Sequence, residues 1–280
     1  MNVAEKYQEF CEKKGIAFSR IEKVNPYDSS TLFCPAGMQK YKPLFEDKSY
    51  KGTEANIQSC IRMNDFDELS DATHLLAFDM VGLFSFREMS VKEAIEFWVE
   101  FLAELGLSPD YATIHPESTA WASYYKKLDI SIKLDRECTW SDGNIGGYCT
   151  EFFINGVEVG NIVNPLGDCI DVGFGLERLT QAVNKNPRIG TKAEKLVLTA
   201  NKLINSGYKP GPNSQGYVLR KVLREIFLSG GTMEHQFFVD ELTRQEKMQS
   251  KYNKLKDNPK YKDKDKAWWF DTHGINLDEI

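Results

Sequence analysis

The feature that most constrains the fold is a run of short strand-like segments between residues 129 and 172. The segments DISIKLD, YCTEFFING, VEVGNIVN and CIDVGF are rich in β-branched and aromatic residues and are separated by Asp, Gly and Asn. The pair Asn155–Gly156 lies between two apolar runs, which is a strong signal for a two-residue hairpin turn. We therefore predict an antiparallel sheet here rather than alternating βαβ units.

Helical periodicity flanks this region on both sides. Residues 3–14 form an amphipathic pattern that ends at Gly15, and residues 90–105 carry apolar residues at helical spacing after Ser90, a candidate N-cap. The later predicted helices are 175–184, 191–206, 214–228 and 233–256. Two segments are predicted to be less regular: residues 24–37, as a turn, a short strand and a loop, and the lysine-rich residues 254–266, as a solvated linker.

This order of elements predicts an α+β fold, an antiparallel sheet flanked by helices and followed by a small helical domain. We place the boundary between residues 1–187 and residues 188–280. The formal net charge of −6 and the pI near 5.4 disfavour a broad nucleic-acid-binding face, which requires excess positive charge. A local basic groove remains compatible with these values.

The six cysteines, with no CxxC pair and no histidine at zinc-finger spacing, predict no structural metal. The charged, amphipathic amino terminus is unlike a signal peptide, and no apolar run approaches the ~20 residues of a membrane span. The expectation is a reduced cytoplasmic protein without membrane contact.

The clearest chemical motif is GFGLERL at 173–179, directly after a predicted strand. Gly173 and Gly175 allow a tight turn, and the helix that follows exposes backbone N–H groups at its start. Together with the guanidinium of Arg178, these groups suit a phosphate. The alternative is a strand-to-helix turn whose glycines serve packing alone.

A second motif spans residues 59–86, where Arg62 ends an apolar segment and acidic residues form a loop. His74, Asp79 and Met80 are predicted on a returning apolar strand. Two arginines suit a triphosphate, because both ends of a bent polyphosphate require neutralisation. Taken alone, Arg62 has the alternative of an ordinary surface residue, and His74 that of a half-buried structural histidine.

These two motifs, in this order and on an antiparallel sheet, resemble motifs 2 and 3 of the class II aminoacyl-tRNA synthetases, and most closely the alanyl-tRNA synthetase family. Similar segments continue in the same order along most of the chain. They are LFCPAGMQKYKPLF (32–45), HLLAFDMVGLFSF (74–86), WSDGNIGGYCTEFF (140–153), EVGNIV (158–163), IDVGFGLERL (170–179), ANKLINSGYKPGPNSQGYVLRKVLREI (200–226) and WWFDTHGINLDEI (268–280).

The chain also departs from that family. The segment after the motif 2 arginine is shortened to Met63, which removes a lysine expected near ATP. Asp79 stands where the family has Glu, Leu75 where it has His, and Gly160 where it has Trp. The resemblance is to a compact form of the family, which we expect to lack the editing and carboxy-terminal oligomerising domains.

The resemblance implies ATP and Mg²⁺ as cofactors, with no metal held by the protein alone, and a set of site residues. Arg62 and Arg178 are the catalytic candidates. The ATP-binding candidates are Arg62, His74, Asp79, Met80, Gly173, Gly175 and Arg178. The amino-acid-binding candidates are Trp140, Glu151, Asn161, Asp171 and Gly173, with Trp140 favouring a small side chain such as that of alanine.

The predicted reaction is activation of alanine as an aminoacyl-adenylate and its transfer to tRNA. Asn213, Arg220 and Asp271 are the candidates for contact with the tRNA acceptor stem. The alternative is a ligase that transfers the activated amino acid to a carrier protein, a peptide or a small molecule. The acidic charge favours this alternative, because tRNA binding relies on neutralisation of phosphates by Lys and Arg. A catalytically inactive nucleotide-binding regulator is a third reading, which the Arg62–Arg178 pair disfavours.

Overall fold

The computed structural model describes residues 1–279, which divide into two compact units, Met1–Gly207 and Tyr208–Ile280. The predicted boundary at 187/188 therefore falls twenty residues before the observed division. The reason is that the helix formed by residues 192–205 packs against the sheet of the first unit, held in part by an ion pair between Lys202 and Asp79.

The first unit is built on one mixed sheet. Its strands, within the described residues, are β1 (Ala17–Ile21), β2 (Gly52–Ile61), β3 (Ala77–Phe86), β4 (Tyr111–Ile114), β5 (Ser131–Leu134), β6 (Thr139–Asp142), β7 (Ile145–Ile154), β8 (Val157–Val163) and β9 (Cys169–Gly175). The order is β1-β2-β3-β9-β8-β7-β4-β5, and β6 pairs with β7. The central pairs are antiparallel, as predicted, whereas the outer pairs β1–β2 and β4–β5 are parallel.

Helices accompany the sheet and follow it. They are α1 (Val3–Lys13), α2 (Lys42–Glu46), α3 (Val91–Glu104), α4 (Ala122–Lys127), α5 (Leu176–Asn184), α6 (Lys192–Asn205), α7 (Ser214–Leu228), α8 (Gln236–Leu255) and α9 (Lys266–His273). Short 3-10 helices cover 37–41, 63–68, 116–121, 165–167 and 259–261. Among residues 1–279, none of these helices combines the length and the apolar composition that a bilayer crossing requires.

Alternation along the strands gives the sheet two different faces. Val172 and Phe174 of β9 point into the main core, where the Phe174 ring stacks on Trp98 of α3 with centroids 4.0 Å apart. Asp171 and Gly173, one residue out of phase, line a cavity on the opposite face. The apolar half of the β9 pattern therefore fixes which polar residues face the cavity.

Several local predictions are confirmed. Ser90 and Glu93 form a reciprocal capping box at the start of α3, and Gly15 follows α1 with a positive φ of 71°. Asn155 and Gly156 have φ values of 52° and 75°, which match the tight hairpin between β7 and β8. The predicted helices at 175–184, 191–206, 214–228 and 233–256 correspond to α5–α8.

The short strand predicted within residues 24–37 was wrong. Its apolar residues belong to an irregular loop, in which Pro26 and Pro35 have no N–H to donate to the hydrogen bonds of a β-sheet. The loop is held instead by polar side chains: the Tyr27 N–H donates to Gln39, and Asp28 accepts from Lys42. The sequence could not show these contacts, because they join residues 12 and 14 positions apart.

The second unit contains α7, α8 and α9. Its apolar cluster includes Met248, Trp269 and Ile275. Residues 254–266 are mostly exposed and contain the 3-10 turn at 259–261 between α8 and α9, which agrees with a solvated connection.

Candidate active site

The cavity lies over β3, β9 and β8 and has a volume of about 640 Å³. Most of the predicted site residues line it: Arg62, His74, Met80, Trp140, Asn161, Asp171, Gly173, Gly175 and Arg178. The residues come from segments up to about a hundred positions apart in the chain, and the antiparallel ladder brings them together. In its register, Met80 lies opposite Gly175 and Asn161 lies opposite Gly173.

Arg62 follows the last residue of β2 and is positioned on two sides. Its Nε–H donates to the Pro35 carbonyl at 3.0 Å, and its guanidinium lies over the Phe78 ring, 5.1 Å from the centroid. Its two Nη groups make no hydrogen bond within residues 1–279 and remain available to an anion in the cavity. An arginine held in this way is preorganised for a phosphate or a carboxylate.

Arg178 lies on the first turn of α5, as the sequence predicts. Gly175 is the N-cap of this helix and has no side chain to cap it, so the first backbone N–H groups of the helix lack a side-chain acceptor from the N-cap. Gly175 and Arg178 both line the cavity. The Nη1 group of Arg178 donates to the Glu158 carbonyl at 2.8 Å and lies 3.4 Å from the Glu158 carboxylate. These contacts fix one side of the guanidinium and leave the rest of its fork for a ligand.

Asp171 is a buried acidic residue of the cavity lining. Its side chain is only 7% exposed, and burial raises its pKa to about 7, while the nearby charge of Arg62 opposes that rise. No hydrogen bond or ion pair of its carboxylate is formed within the described residues. A buried carboxylate without a partner is costly, and a cationic ligand such as an ammonium group would remove that cost.

Gly173 is required by its neighbour Met80 rather than by its own dihedral angles. A Cβ at position 173 would lie 2.9 Å from the Met80 Sδ, and the same sulfur accepts a hydrogen bond from the Gly37 N–H at 3.3 Å. Met80 therefore packs directly on the backbone of β9 and forms part of the cavity floor. A side chain at Gly173 would displace it.

Two predicted residues are not brought to the cavity. Asp79 has the same strand parity as the core residues Val81 and Leu83, and its carboxylate accepts from the Ser59 hydroxyl and from Lys202, each at 2.6 Å. The assignment of Asp79 to ATP is therefore corrected to a structural ion pair. Glu151 of β7 does not line the cavity either, and accepts from the Thr113 hydroxyl at 3.1 Å.

His74 lines the cavity but differs from the prediction in its surroundings. It lies in the loop before β3 rather than on the strand, and its ring is held between Asp71 and Glu68. Its contacts involve both ring nitrogens, so they orient the loop as well as the ring.

Sequence reasoning missed three charged residues of the site. Glu177 lines the cavity, and burial together with the charge of Asp79 raises its pKa to about 7. Lys42 bridges Asp28 and Asp142, at 3.0 and 2.6 Å, and so ties the β6 hairpin to the amino-terminal loop. Lys202 pairs with Asp79. Glu177 lies inside the GFGLERL motif, so the sequence could have identified it. The two lysines belong to no recognisable motif, so the sequence could not have identified them.

The predicted acceptor residues lie in the second unit. Asn213 is the exposed N-cap of α7, and Asp271 is exposed on α9. Arg220 is instead engaged in ion pairs, with Glu241 at 3.2 Å and Glu279 at 3.1 Å. Arg224, four residues further along α7, pairs with the same two carboxylates, so both arginines are engaged in ion pairs within their own unit.

The amino-terminal part of the chain, residues 2–137, matches the family described as tRNA synthetases class II (A). This match covers 136 of the 280 residues, just under half of the chain. The chain is also similar to alanine–tRNA ligases: over 300 residues it is 28% identical to the one from Chlamydia muridarum, covering 78% of this chain and 34% of the relative.

Further relatives give the same result. The alanine–tRNA ligase of Chlamydia pneumoniae is 29% identical, with 70% of this chain and 31% of the relative covered, and that of Endomicrobium trichonymphae is 28% identical, with 79% and 34% covered. The chain thus spans about a third of the length of these relatives.

Solved structures of two synthetases are also similar. The pyrrolysyl-tRNA synthetase PylSc of Desulfitobacterium hafniense aligns with a TM-score of 0.44 at 13% identity, covering 67% of this chain and 69% of that chain. The histidyl-tRNA synthetase of S. aureus aligns with a TM-score of 0.46 at 13% identity, covering 74% and 76%.

Proposed function

We propose that the chain activates a small amino acid, alanine above others, with ATP to form an aminoacyl-adenylate and transfers it to tRNA. The observation that carries the proposal is the unpartnered, buried Asp171 carboxylate in a cavity that also contains Arg62 and Arg178. One negative and two positive groups match an amino acid bound beside a polyphosphate: the ammonium group meets the carboxylate, and the phosphates meet the arginines.

In the proposed reaction, the amino-acid carboxylate attacks the α-phosphorus of ATP in line, and pyrophosphate leaves. No protein nucleophile is needed, so catalysis depends on positioning and on neutralisation of charge. Arg62 would contact the α-phosphate and the incoming carboxylate through its Nη groups. Arg178, fixed by Glu158, would hold the terminal phosphate of a bent ATP.

Magnesium is expected to arrive with ATP, because Mg²⁺ is usually held by substrate phosphates and one or two carboxylates. Asp65 and Glu177 fit this role: both line the cavity, and neither carboxylate makes an ion pair within the described residues. Asp142 and Glu158 are less suitable, since Lys42 and Arg178 already neutralise them. The ion would supply charge neutralisation of the phosphates.

The amino-acid end of the cavity would be formed by Asp171, Asn161 and Trp140. Trp140 packs between two small apolar clusters and provides a wall, which favours a small side chain. A hydrophobic pocket discriminates one methylene by only ~1–3 kcal/mol, so glycine should be activated measurably and alanine preferred. Glu151, by contrast, does not line the cavity.

The first prediction is amino-acid-dependent exchange of pyrophosphate into ATP. With Mg-ATP, wild-type chain should exchange with alanine faster than with any other of the twenty standard amino acids. Arg178→Ala should lower kcat/KM by about 10²–10³-fold, as for other preorganised charge contacts. Lys92→Ala, which removes an exposed lysine of α3, is the matched control and should leave exchange unchanged. Absence of exchange with every amino acid would refute the proposed function.

The acceptor is proposed to be tRNA, on the strength of the alanine–tRNA ligase relatives, and the reaction is placed in the cytoplasm. Asp271 and Asn213 are the candidates for acceptor-stem contacts, because both are exposed polar residues of the second unit. The same preparation, supplied with total tRNA at low salt, should charge it, and Asp271→Ala should reduce charging without changing exchange. Rapid pyrophosphate exchange without any charging of tRNA would contradict tRNA as the acceptor and would favour a carrier or small-molecule acceptor.

A further inference from the structure

Two cysteines and a glutamate that are separated in sequence converge beside the hairpin of β6 and β7. The Sγ atoms of Cys138 and Cys149 and a carboxylate oxygen of Glu151 all lie within 4.8 Å of one another. Cys138 precedes β6, whereas Cys149 and Glu151 lie two apart on β7 and therefore point to the same face of the sheet. We propose that Cys138, Cys149 and Glu151 form a zinc site with one open coordination position.

The geometry of the cluster fits a tetrahedral zinc ion. Zinc bound by two thiolates places their sulfurs about 3.8 Å apart, so a cluster within the observed spread needs only small side-chain adjustments. The backbone is already fixed, because the Cys149 N–H donates to the Cys138 carbonyl at 2.9 Å. Thiolate ligands select zinc over magnesium or calcium, which prefer oxygen.

A neighbouring hydroxyl orients the ligands. Thr113 of β4 is 5% exposed, and its Oγ1 donates to Glu151 at 3.1 Å and lies 3.0 Å from the Cys138 Sγ. Such outer contacts hold a carboxylate ligand in its binding orientation. Two of the three candidate ligands are therefore tied to one buried side chain on a different strand.

The charges around Glu151 also call for a cation. Glu151 makes no ion pair within the part of the chain that the structure describes, and the ionisable groups that act on it most strongly are the acidic Glu158 and Asp135. Binding of Zn²⁺ would displace the protons of Cys138 and Cys149, and the ion would then balance two of the three negative charges of its ligands, which leaves a net charge of −1.

The open position has access to solvent on the Glu151 side. Cys138 and Cys149 are buried, whereas Glu151 is only half-buried, so a water molecule could complete the coordination there. Trp140 and Val163 pack against the two thiols and also line the cavity. The ion would thus lie behind the cavity wall and staple the β6–β7 hairpin to the sheet.

The test measures metal rather than activity, so it is independent of the proposed function. Wild-type chain purified without chelator should contain about one zinc per chain. Cys138→Ala and Cys149→Ala should lose nearly all of it, and Thr113→Val should weaken zinc affinity about 10–100-fold. Cys60→Ala is the matched control, because Cys60 is also buried against a second cysteine, Cys34, but has no carboxylate in the pair.

A cobalt titration keeps the test decisive if the alanine variants fail to fold. Reduced, metal-free wild-type chain should develop a thiolate-to-cobalt absorption band that zinc then removes. The proposal is overturned if the folded, reduced chain binds neither metal, if Cys60→Ala loses zinc as completely as Cys138→Ala, or if Cys138 and Cys149 form a disulfide and bind no metal after its reduction.

Discussion

At the scale of single residues, Asp171 carries the largest physical cost in the site. Its pKa is near 3.8 in an unfolded chain and about 7 in the folded one, because burial disfavours the charged form. Asp171 therefore binds more protons in the folded chain between these two values, and its contribution to the free energy of unfolding falls as pH rises from about 4 to about 7. Glu177, whose pKa is also raised to about 7, adds a fall of the same sign.

This cost leads to a prediction for Asp171→Asn. The variant should be more stable than wild type above pH 7, by about 3–5 kcal/mol, since the pKa of Asp171 rises from 3.8 to about 7 and each pKa unit corresponds to about 1.4 kcal/mol. The difference should vanish below pH 4, where Asp171 is protonated in both states. Chemical denaturation across the pH range measures it. Glu46→Gln, on the surface, serves as the control. Parallel pH profiles of wild type and Asp171→Asn would contradict the assignment of a buried, unpartnered carboxylate.

Binding should relieve the same cost. An ammonium group beside Asp171 would stabilise its charged form and lower its pKa, so substrate binding near pH 7 should release protons. Binding of a cationic substrate would remove the free-energy cost of the buried Asp171 charge, and this gain would add to the affinity for that substrate. Asp171→Asn is consequently expected to gain stability and to lose affinity for the amino acid.

At the scale of elements, α6 packs against the sheet and is part of the first unit, whereas α7, α8 and α9 are in the second unit. Lys202 reaches β3 and ion-pairs with Asp79, and both side chains are less than a fifth exposed. Lys195, also on α6, is buried and donates to the carbonyls of Leu69 and Asp71 in the loop before β3. Two lysines of one helix thus fasten the strand and the loop that supply His74 and Met80 to the cavity.

A double-mutant cycle tests whether the Lys202–Asp79 ion pair stabilises the fold. Lys202→Met leaves the Asp79 carboxylate without its cation and should cost about 1–3 kcal/mol of unfolding free energy. Combining it with Asp79→Asn should recover part of the loss, with a coupling energy of about 0.5–3 kcal/mol. Because Asp79 faces away from the cavity, Asp79→Asn alone should leave the KM for ATP close to that of wild type. Additive effects in the cycle, or a large rise in that KM, would contradict the structural role.

At the scale of the whole molecule, short sequence patterns predicted the helices and strands better than they predicted which of these elements pack together. The β-rich run, the Asn155–Gly156 turn and the Ser90 cap depend on a few adjacent residues, and these predictions hold. The cavity residues Arg62, Asp171 and Arg178 were found because each belongs to a recognisable motif. The boundary after Gly207 was missed, because the Lys202–Asp79 pair spans 123 residues and leaves no local trace.

In the second unit, the charge of a helix face was likewise not predictable from the sequence of that helix alone. Arg220 and Arg224 lie four residues apart on α7 and share a face, as helical spacing requires. Their partners Glu241 and Glu279 come from later parts of the chain, so the sequence of α7 alone could not show that both arginines are already engaged in ion pairs. The proposed tRNA contacts accordingly rest on Asn213 and Asp271.

The account depends most on attack by the amino-acid carboxylate at the α-phosphorus of ATP. Alanine labelled with heavy oxygen in its carboxylate, incubated with Mg-ATP and the chain in unlabelled water, tests this step directly. Breakdown or transfer of an aminoacyl-adenylate leaves one carboxylate oxygen on the phosphate of AMP, so mass spectrometry should find AMP carrying one heavy oxygen. Unlabelled AMP, or ADP together with labelled inorganic phosphate, would contradict the account.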